Sequence, residues 1–282
     1  MLIAQITDIH LGFDPDNPAE FNRKRLDQVI RAISDMDRKP DLLFATGDLV
    51  DRGDTDSYRR LRRALGAVPC PVWLCVGNHD VRENFLEVFP NMPAADGFIQ
   101  YVVDHGPLRF IILDTLEEGR HGGAFCPTRS AWLRATLSEK PDRPTVIILH
   151  HPPIETGIEW MSTDPDEPWV AELEAALAGH DQIVGMMCGH IHRQIVTSWA
   201  GRQLAICPST APQVALSLSP MDPEEPDGRP MIIADPPAYA LHYWNGRALV
   251  THFDTSDEHV VLARYDMGMQ PLVQSLMGER PE

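Results

Sequence analysis

With 282 residues, 43 % of them hydrophobic, the chain can bury a sizeable core, which argues against a disordered polymer and against a membrane protein. No apolar run approaches the roughly 20 residues that span a bilayer. Forty-one acidic residues against 24 basic ones leave a formal net charge of −17, and such a surface repels polyanions and argues against sequence-independent binding of long nucleic acids. A small anion is a different matter where metal ions reverse the local field.

The N-terminal stretch Met1-Leu2-Ile3-Ala4-Gln5-Ile6 lacks a basic leader and reads as a first strand, which points to a cytoplasmic protein. That strand, residues 2–7, ends in Asp8-Ile9-His10, and alternation puts Asp8 and His10 on one side of the extended chain. A helix is expected over 19–37, with Leu26, Val29, Ile30, Ile33 and Met36 on its apolar face and Pro40 beyond its end. A second buried strand, 41–45, runs into Thr46-Gly47-Asp48-Leu49-Val50-Asp51-Arg52-Gly53. Thr55 or Asp56 can cap the next helix, whose apolar side is Tyr58, Leu61 and Leu65. A third strand, 72–76, stops at a glycine and delivers Asn78, His79 and Asp80.

A short helix over 84–89 precedes an antiparallel hairpin, 98–104 and 109–114, across Gly106-Pro107. Thr128 caps a helix carrying Trp132, Leu133 and Leu137. The buried strand 145–149 ends in His150-His151-Pro152-Pro153, and after a helix over 169–178 the strand 182–188 ends in Gly189-His190-Ile191-His192. Residues 194–199 and 202–207 form a hairpin at Ala200-Gly201. Residues 217–237 hold six prolines and several acids and cannot be helix or central strand. A second hairpin, 239–244 and 249–253, turns at Asn245-Gly246, and 270–282 is expected to be a loosely held tail.

The five cysteines, Cys70, Cys75, Cys126, Cys188 and Cys207, are odd in number and include no Cys-x-x-Cys pair, so buried reduced thiols are expected rather than a zinc site or disulfides. Carboxylate, imidazole and amide groups instead gather at strand ends: Asp8 and His10, Asp48, Asn78 and His79, His150, His190 and His192. In α/β sheets ligands bind in the crevice beyond the carboxyl ends of the strands. A donor set without thiolate suits Zn, Mn, Fe or Co. Each fragment alone has an ordinary reading as turn chemistry or a surface histidine pair. Their recurrence at successive strand ends does not.

In this pattern the chain resembles the calcineurin-like metallophosphoesterases, through Asp8-Ile9-His10, Gly47-Asp48-Leu49-Val50-Asp51, Gly77-Asn78-His79-Asp80, His150-His151-Pro152 and Gly189-His190-Ile191-His192. Within that group it is most similar to bacterial class III cyclic-nucleotide phosphodiesterases and the related glycerophosphodiesterases. The resemblance implies an α/β fold, a four-layer α/β/β/α sandwich of two mixed sheets with a C-terminal cap or dimerisation segment, and a homodimer or higher homo-oligomer. It divides the chain into a catalytic domain, 1–210, a Pro-rich segment and hairpin, 211–255, packed on it, and a C-terminal strand and tail, 256–282.

The resemblance also implies two divalent metals, one held by Asp8, His10 and His192 and the other by Asn78, His150 and His190, with Asp48 bridging. His79 is then left to face a small phosphodiester, such as cAMP or a glycerophosphodiester, as the catalytic residue, while a metal-activated hydroxide attacks phosphorus. Asp51 and Asp80 would orient loops and ligands, and His151 would stand outside the ligand set. A protein Ser/Thr phosphatase is the first rival: Arg52 follows the Gly-Asp motif as in that family, and His121-Gly122-Gly123 is similar to another of its pieces. Asp80 stands where those phosphatases have glutamate, however, and no strand delivers His121. A nuclease of the same superfamily is disfavoured by the acidic surface, and a non-catalytic scaffold with this fold would be expected to lose ligands, whereas none is missing.

Overall fold

The computed structural model describes residues 1–280. In chain order its first half comprises β1 (Leu2–Ile6), α1 (Phe21–Asp35), β2 (Leu42–Thr46), α2 (Thr55–Leu65), β3 (Val72–Cys75), α3 (Arg82–Val88), β4 (Tyr101–His105), β5 (Leu108–Ile112) and α4 (Pro127–Glu139). Then follow β6 (Thr145–Ile148), α5 (Pro168–Leu177), β7 (Ile183–Cys188), β8 (Ile195–Trp199), β9 (Arg202–Ile206), β10 (Gln213–Val214), β11 (Ile232–Ile233), β12 (Ala238–Trp244), β13 (Leu249–Thr255) and α6 (Gln270–Gly278).

Strands buried at nearly every position need cover on both faces, and β1, β2, β5, β6 and β7 form the parallel centre of the two sheets. One sheet has the order β13-β12-β1-β2-β3, with β1, β2 and β3 parallel. The other has the order β4-β5-β6-β7-β9-β8, with β5, β6, β7 and β9 parallel. Alternation along β5 and β6 assigns the faces. Phe110, Ile112, Val146 and Ile148 join a core shared with the first sheet, where the rings of Phe44 and Phe110 lie 4.8 Å apart. Their neighbours Ile111, Ile147 and Leu149 pack instead with Leu133 of α4 and Leu173 of α5. Leu26 and Val29 of α1 and Leu61 of α2 belong to the core of the first sheet. Two large mixed sheets therefore share one apolar layer, with helices packed against them.

Several boundaries differ from the sequence reading, each for a local reason. Asp54, one residue earlier than expected, caps α2 by accepting from Ser57 N at 2.9 Å. Pro127, whose missing N–H costs nothing in a first turn, opens α4 ahead of Thr128. The terminal hairpin is part of the first sheet, β12 running antiparallel to β1. Within residues 256–280, where a strand and loose tail are expected, there is no strand, and 270–278 form α6, which buries no residue. Pro281 and Glu282, the end of that expected tail, lie outside the described residues. The five cysteines are free, and burial pushes the thiols of Cys75, Cys188 and Cys207 up.

A fully buried glutamine ties the two sheets beneath their carboxyl ends. Gln5 of β1 donates through Nε2 to Thr46 Oγ1 at 2.8 Å and to Cys188 O, at the end of β7, at 2.9 Å. Its Oε1 accepts from His242 Nε2 at 3.0 Å, so the other imidazole nitrogen is left to accept from Thr251 Oγ1 at 2.9 Å. Burial, with His252 nearby, pushes His242 down to about 3 from the ordinary 6.5, so the folded protein holds this ring neutral. The unfolded chain takes up a proton in that interval and the folded one does not, so stability falls as pH drops through it. Denaturant unfolding across pH 6.5 to 3 should show a loss on the order of a few kcal/mol to which His242 contributes. His242→Gln should flatten that slope; a variant with the wild-type slope would show that His242 is not the group responsible.

Candidate metal centre

Every motif side chain of interest stands just past the carboxyl end of a parallel strand: Asp8 and His10 after β1, Asp48 after β2, Asn78 and His79 after β3, His150 after β6, His190 and His192 after β7. Turning out of a strand toward the crevice requires unusual backbone. Among the described residues seven non-glycine positions have positive φ, and five of them are Asp8 (49°), His10 (46°), Asp48 (47°), His190 (73°) and His192 (53°). That conformation costs about 1–2 kcal/mol per residue for an L-amino acid, and such strain concentrates at functional sites. Two glycines permit the close approach. A Cβ at Gly77 would stand 2.3 Å from Asp48 Oδ1, and one at Gly189 would stand 2.0 Å from Thr7 Oγ1.

The carboxylates are buried and divided in use. Asp8 Oδ2 accepts from His190 N at 3.0 Å, and Asp48 Oδ1 accepts from His79 N at 2.8 Å. Their other oxygens face imidazoles: Asp8 Oδ1 lies 3.3 Å from His192 Nε2, and Asp48 Oδ2 lies 3.4 Å from His150 Nε2 and 3.6 Å from His10 Nε2. Asp8 Oδ1 is buried without any hydrogen-bond partner. Backbone carbonyls, which only accept, set two tautomers. His150 Nδ1 donates to Thr46 O at 2.8 Å and His192 Nδ1 to Pro212 O at 2.9 Å, leaving each Nε2 lone pair free in the neutral ring. The Nε2 atoms of His10 and His192 face each other at 3.1 Å. Asn78 Oδ1 stands 3.2 Å from His150 Nε2.

Burial opposes charge on both aspartates, but the surrounding imidazoles outweigh it. His192 and His150 hold Asp8 below the usual carboxylate range, and His150 and His10 hold Asp48 well below it. Burial opposes charge on His150 too, yet Asp48 and Asp8 push it up to about 9. His190 is pushed down to about 3 by burial and by His150, and so remains a neutral donor. Ionised inward oxygens, directed ring nitrogens and an orphaned carboxylate oxygen all suit divalent cations. Donor atoms of Asp8, His10 and His192 lie within 4.8 Å of one another, as do those of Asp8, Asp48 and His150, and those of His10, Asp48 and His79.

His79 Nδ1 donates to Asp51 O at 2.7 Å, which frees Nε2, and the residue lines a cavity of about 380 Å³ over the centre. Two further histidines stand near the cluster. His121 also lines that cavity, with its Nδ1 3.4 Å from Asn78 Nδ2, although a loop rather than a strand delivers it. The family resemblance leaves His151 outside the ligand set, and its Nδ1 bonds Thr115 Oγ1 at 2.8 Å. Its Nε2, however, is buried and unpartnered, and its donor atom falls within 4.8 Å of those of His150 and His190. Trp160, Ser162, Thr163 and Glu167 are among the other residues of the wall, and no spacing in the sequence marks them. Arg52 lines neither this cavity nor the metal cluster; its side chain is 61 % exposed and reaches only Asp51, at 3.6 Å, and Phe13 O, at 3.5 Å.

The family model for calcineurin-like phosphoesterases matches residues 1–194, and the chain belongs to that family of metal-using hydrolases. A probable glycerophosphodiester phosphodiesterase of Arcobacter nitrofigilis is 30 % identical over 258 residues, 89 % of this chain and 92 % of the relative. A probable cyclic nucleotide phosphodiesterase of Rhodopseudomonas palustris is 36 % identical over 237 residues, 77 % of this chain and 81 % of the relative. The 3′,5′-cyclic adenosine monophosphate phosphodiesterase of Escherichia coli is 28 % identical, covering 75 % of this chain and 76 % of its own. Among solved structures, GAP50, the anchor in the inner membrane complex of Plasmodium, is alike in fold: TM-score 0.62 at 12 % identity, over 93 % of this chain and 87 % of that one. No helix among the described residues is long and apolar enough to cross a membrane.

Asp80, last of the Gly-Asn-His-Asp motif, points away from the centre and staples its loops. Its Oδ2 accepts from Gly77 N at 2.8 Å and Leu49 N at 3.2 Å, and its Oδ1 accepts from Tyr58 Oη at 2.8 Å. Asp80→Ala should cost about 3 kcal/mol of stability by denaturant unfolding, because it strands three buried donors. A loss under about 0.5 kcal/mol, the range of an ordinary surface substitution, would show that the staple is dispensable.

Proposed function

We propose that the protein is a metal-dependent phosphodiesterase that hydrolyses small phosphodiesters, such as 3′,5′-cyclic nucleotides or glycerophosphodiesters, at a centre for two divalent ions (Mn, Fe, Zn or Co). The observation that carries this reading is the convergence of Asp8 and Asp48, each with one oxygen on a backbone amide and the other turned toward imidazole nitrogens. The names of the relatives support the substrate class. Asp8, His10 and His192 would hold one ion and Asn78, His150 and His190 the other, with Asp48 between them. When bound, such ions supply a nucleophilic water near neutral pH and offset charge developing on phosphorus.

The remaining work falls to the chain's own groups. With Nδ1 committed to Asp51 O, His79 can hold a proton on Nε2 and give it to the departing ester oxygen. Asn78 Nδ2 and His121, 3.4 Å apart, offer polar contact at the cavity wall. Among the described residues no Lys or Arg lines that cavity, which suits a diester with one negative charge better than a monoester with two. The phosphatase reading has less support, because Arg52 stays outside the cavity.

Asp48→Ala should abolish both tight binding of divalent metal, read by elemental analysis after desalting, and turnover of bis(p-nitrophenyl) phosphate. His79→Ala should retain the metal and lower kcat by about 10²–10⁴-fold. A His79→Ala enzyme with the kcat of the native protein would refute the proton-donor role.

A further inference from the structure

A second cavity, of about 660 Å³, shares His10, His79 and His192 with the first and is walled by Phe13, Phe21 and Pro212. Resting on the phosphodiesterase reading, we infer that this cavity receives one ester substituent of the substrate, an uncharged aromatic group, and that Phe13 and Phe21 select it.

A diester carries two substituents on one phosphorus. A phosphorus held among three imidazoles common to both cavities can direct one substituent into each. The two phenylalanines are 66 % and 55 % exposed, which is unusual for large apolar rings beside a catalytic centre. Their backbones are nevertheless tied down. The buried carboxylate of Glu20 accepts from Gly12 N at 2.5 Å and Asp14 N at 2.8 Å, which fixes the loop that carries Phe13. Phe21 opens α1, and the guanidinium of Arg25 lies 5.4 Å from its ring centroid. That guanidinium is itself anchored on Thr210 O at 2.8 Å and on the carbonyl of the cavity-lining Ala211 at 3.1 Å. Aromatic surface held ready on a fixed frame is what a flat apolar ligand binds at least cost.

Charge narrows the choice further. Among the described residues no Lys or Arg lines either cavity, while Asp14, Glu20 and Asp51 border the second. Those carboxylates would repel an anionic substituent and would not repel a neutral ring.

The test compares the benzyl, methyl and 4-carboxybenzyl esters of glycerol 3-phosphate, whose leaving alcohols are similar in acidity, by coupled detection of glycerol 3-phosphate. For the native protein, kcat/KM should be at least about tenfold higher for the benzyl than for the methyl ester. The carboxybenzyl ester should fall well below the benzyl one. Phe13→Ala and Phe21→Ala should each lower the benzyl-to-methyl ratio by about threefold or more, and because both esters are read on one variant a folding defect cancels. A native ratio near one would overturn the inference. So would a ratio unchanged in both variants, the outcome if the two rings only serve to dock another protein. Turnover of none of the three esters would overturn this inference, and the phosphodiesterase reading would fall with it if bis(p-nitrophenyl) phosphate were also left intact.

Discussion

Two carboxylates buried within one cluster are the constraint around which this molecule is built. Asp8 and Asp48 are respectively 0 % and 2 % exposed, and ionised carboxylates so far from water are costly unless paired. Each is relieved in part by a backbone amide, and what remains is directed at imidazoles. The site resolves this residual field by drawing charge onto His150 and by leaving one Asp8 oxygen with no hydrogen bond. Divalent cations answer the same need better than protons do, and they bring the reactivity with them.

Holding that cluster makes demands on parts of the chain that do no chemistry. The donors arrive from both sheets, so the sheets must be fixed relative to each other at their carboxyl ends. Gln5 does this by reaching from β1 to Cys188 at the end of β7, while Asp80 binds together the loops that follow β2 and β3 within the first sheet. The left-handed backbone at five of the site residues is strain that the apolar layer between the sheets can sustain. Stability and function are thus placed on different residues: Phe44 and Phe110 hold the frame, while the site draws on it.

The parts legible in the sequence were those written locally. A buried strand ending in a metal-type donor is a short-range signal, and Asp8, Asp48, Asn78, His150, His190 and His192 each carried it, with a glycine between strand and donor at Asp48, Asn78 and His190. Of the five cysteines expected to be buried, Cys75, Cys188 and Cys207 are, whereas Cys70 and Cys126 are only half-buried. What could not be read depended on contacts distant along the chain. The antiparallel register of β12 on β1 joins Leu2 to Tyr243, and no local pattern specifies it. His121 sits in a loop, and only the folded arrangement brings it within 3.4 Å of Asn78. His150 and His151 are adjacent and equally buried, so composition could not separate them. Thr46 O and Thr115 Oγ1 do, by binding different rings. Helix caps slipped by a residue or two because Asp54 and Pro127 compete locally with Thr55 and Thr128.

The most direct test is the stoichiometry of metal against activity in the native protein. Chelated protein should be inactive toward bis(p-nitrophenyl) phosphate, and titration with Mn²⁺ should restore turnover to a plateau at about two ions per chain. Undiminished turnover by chelated protein, or a folded protein that takes up no ion, would contradict the account.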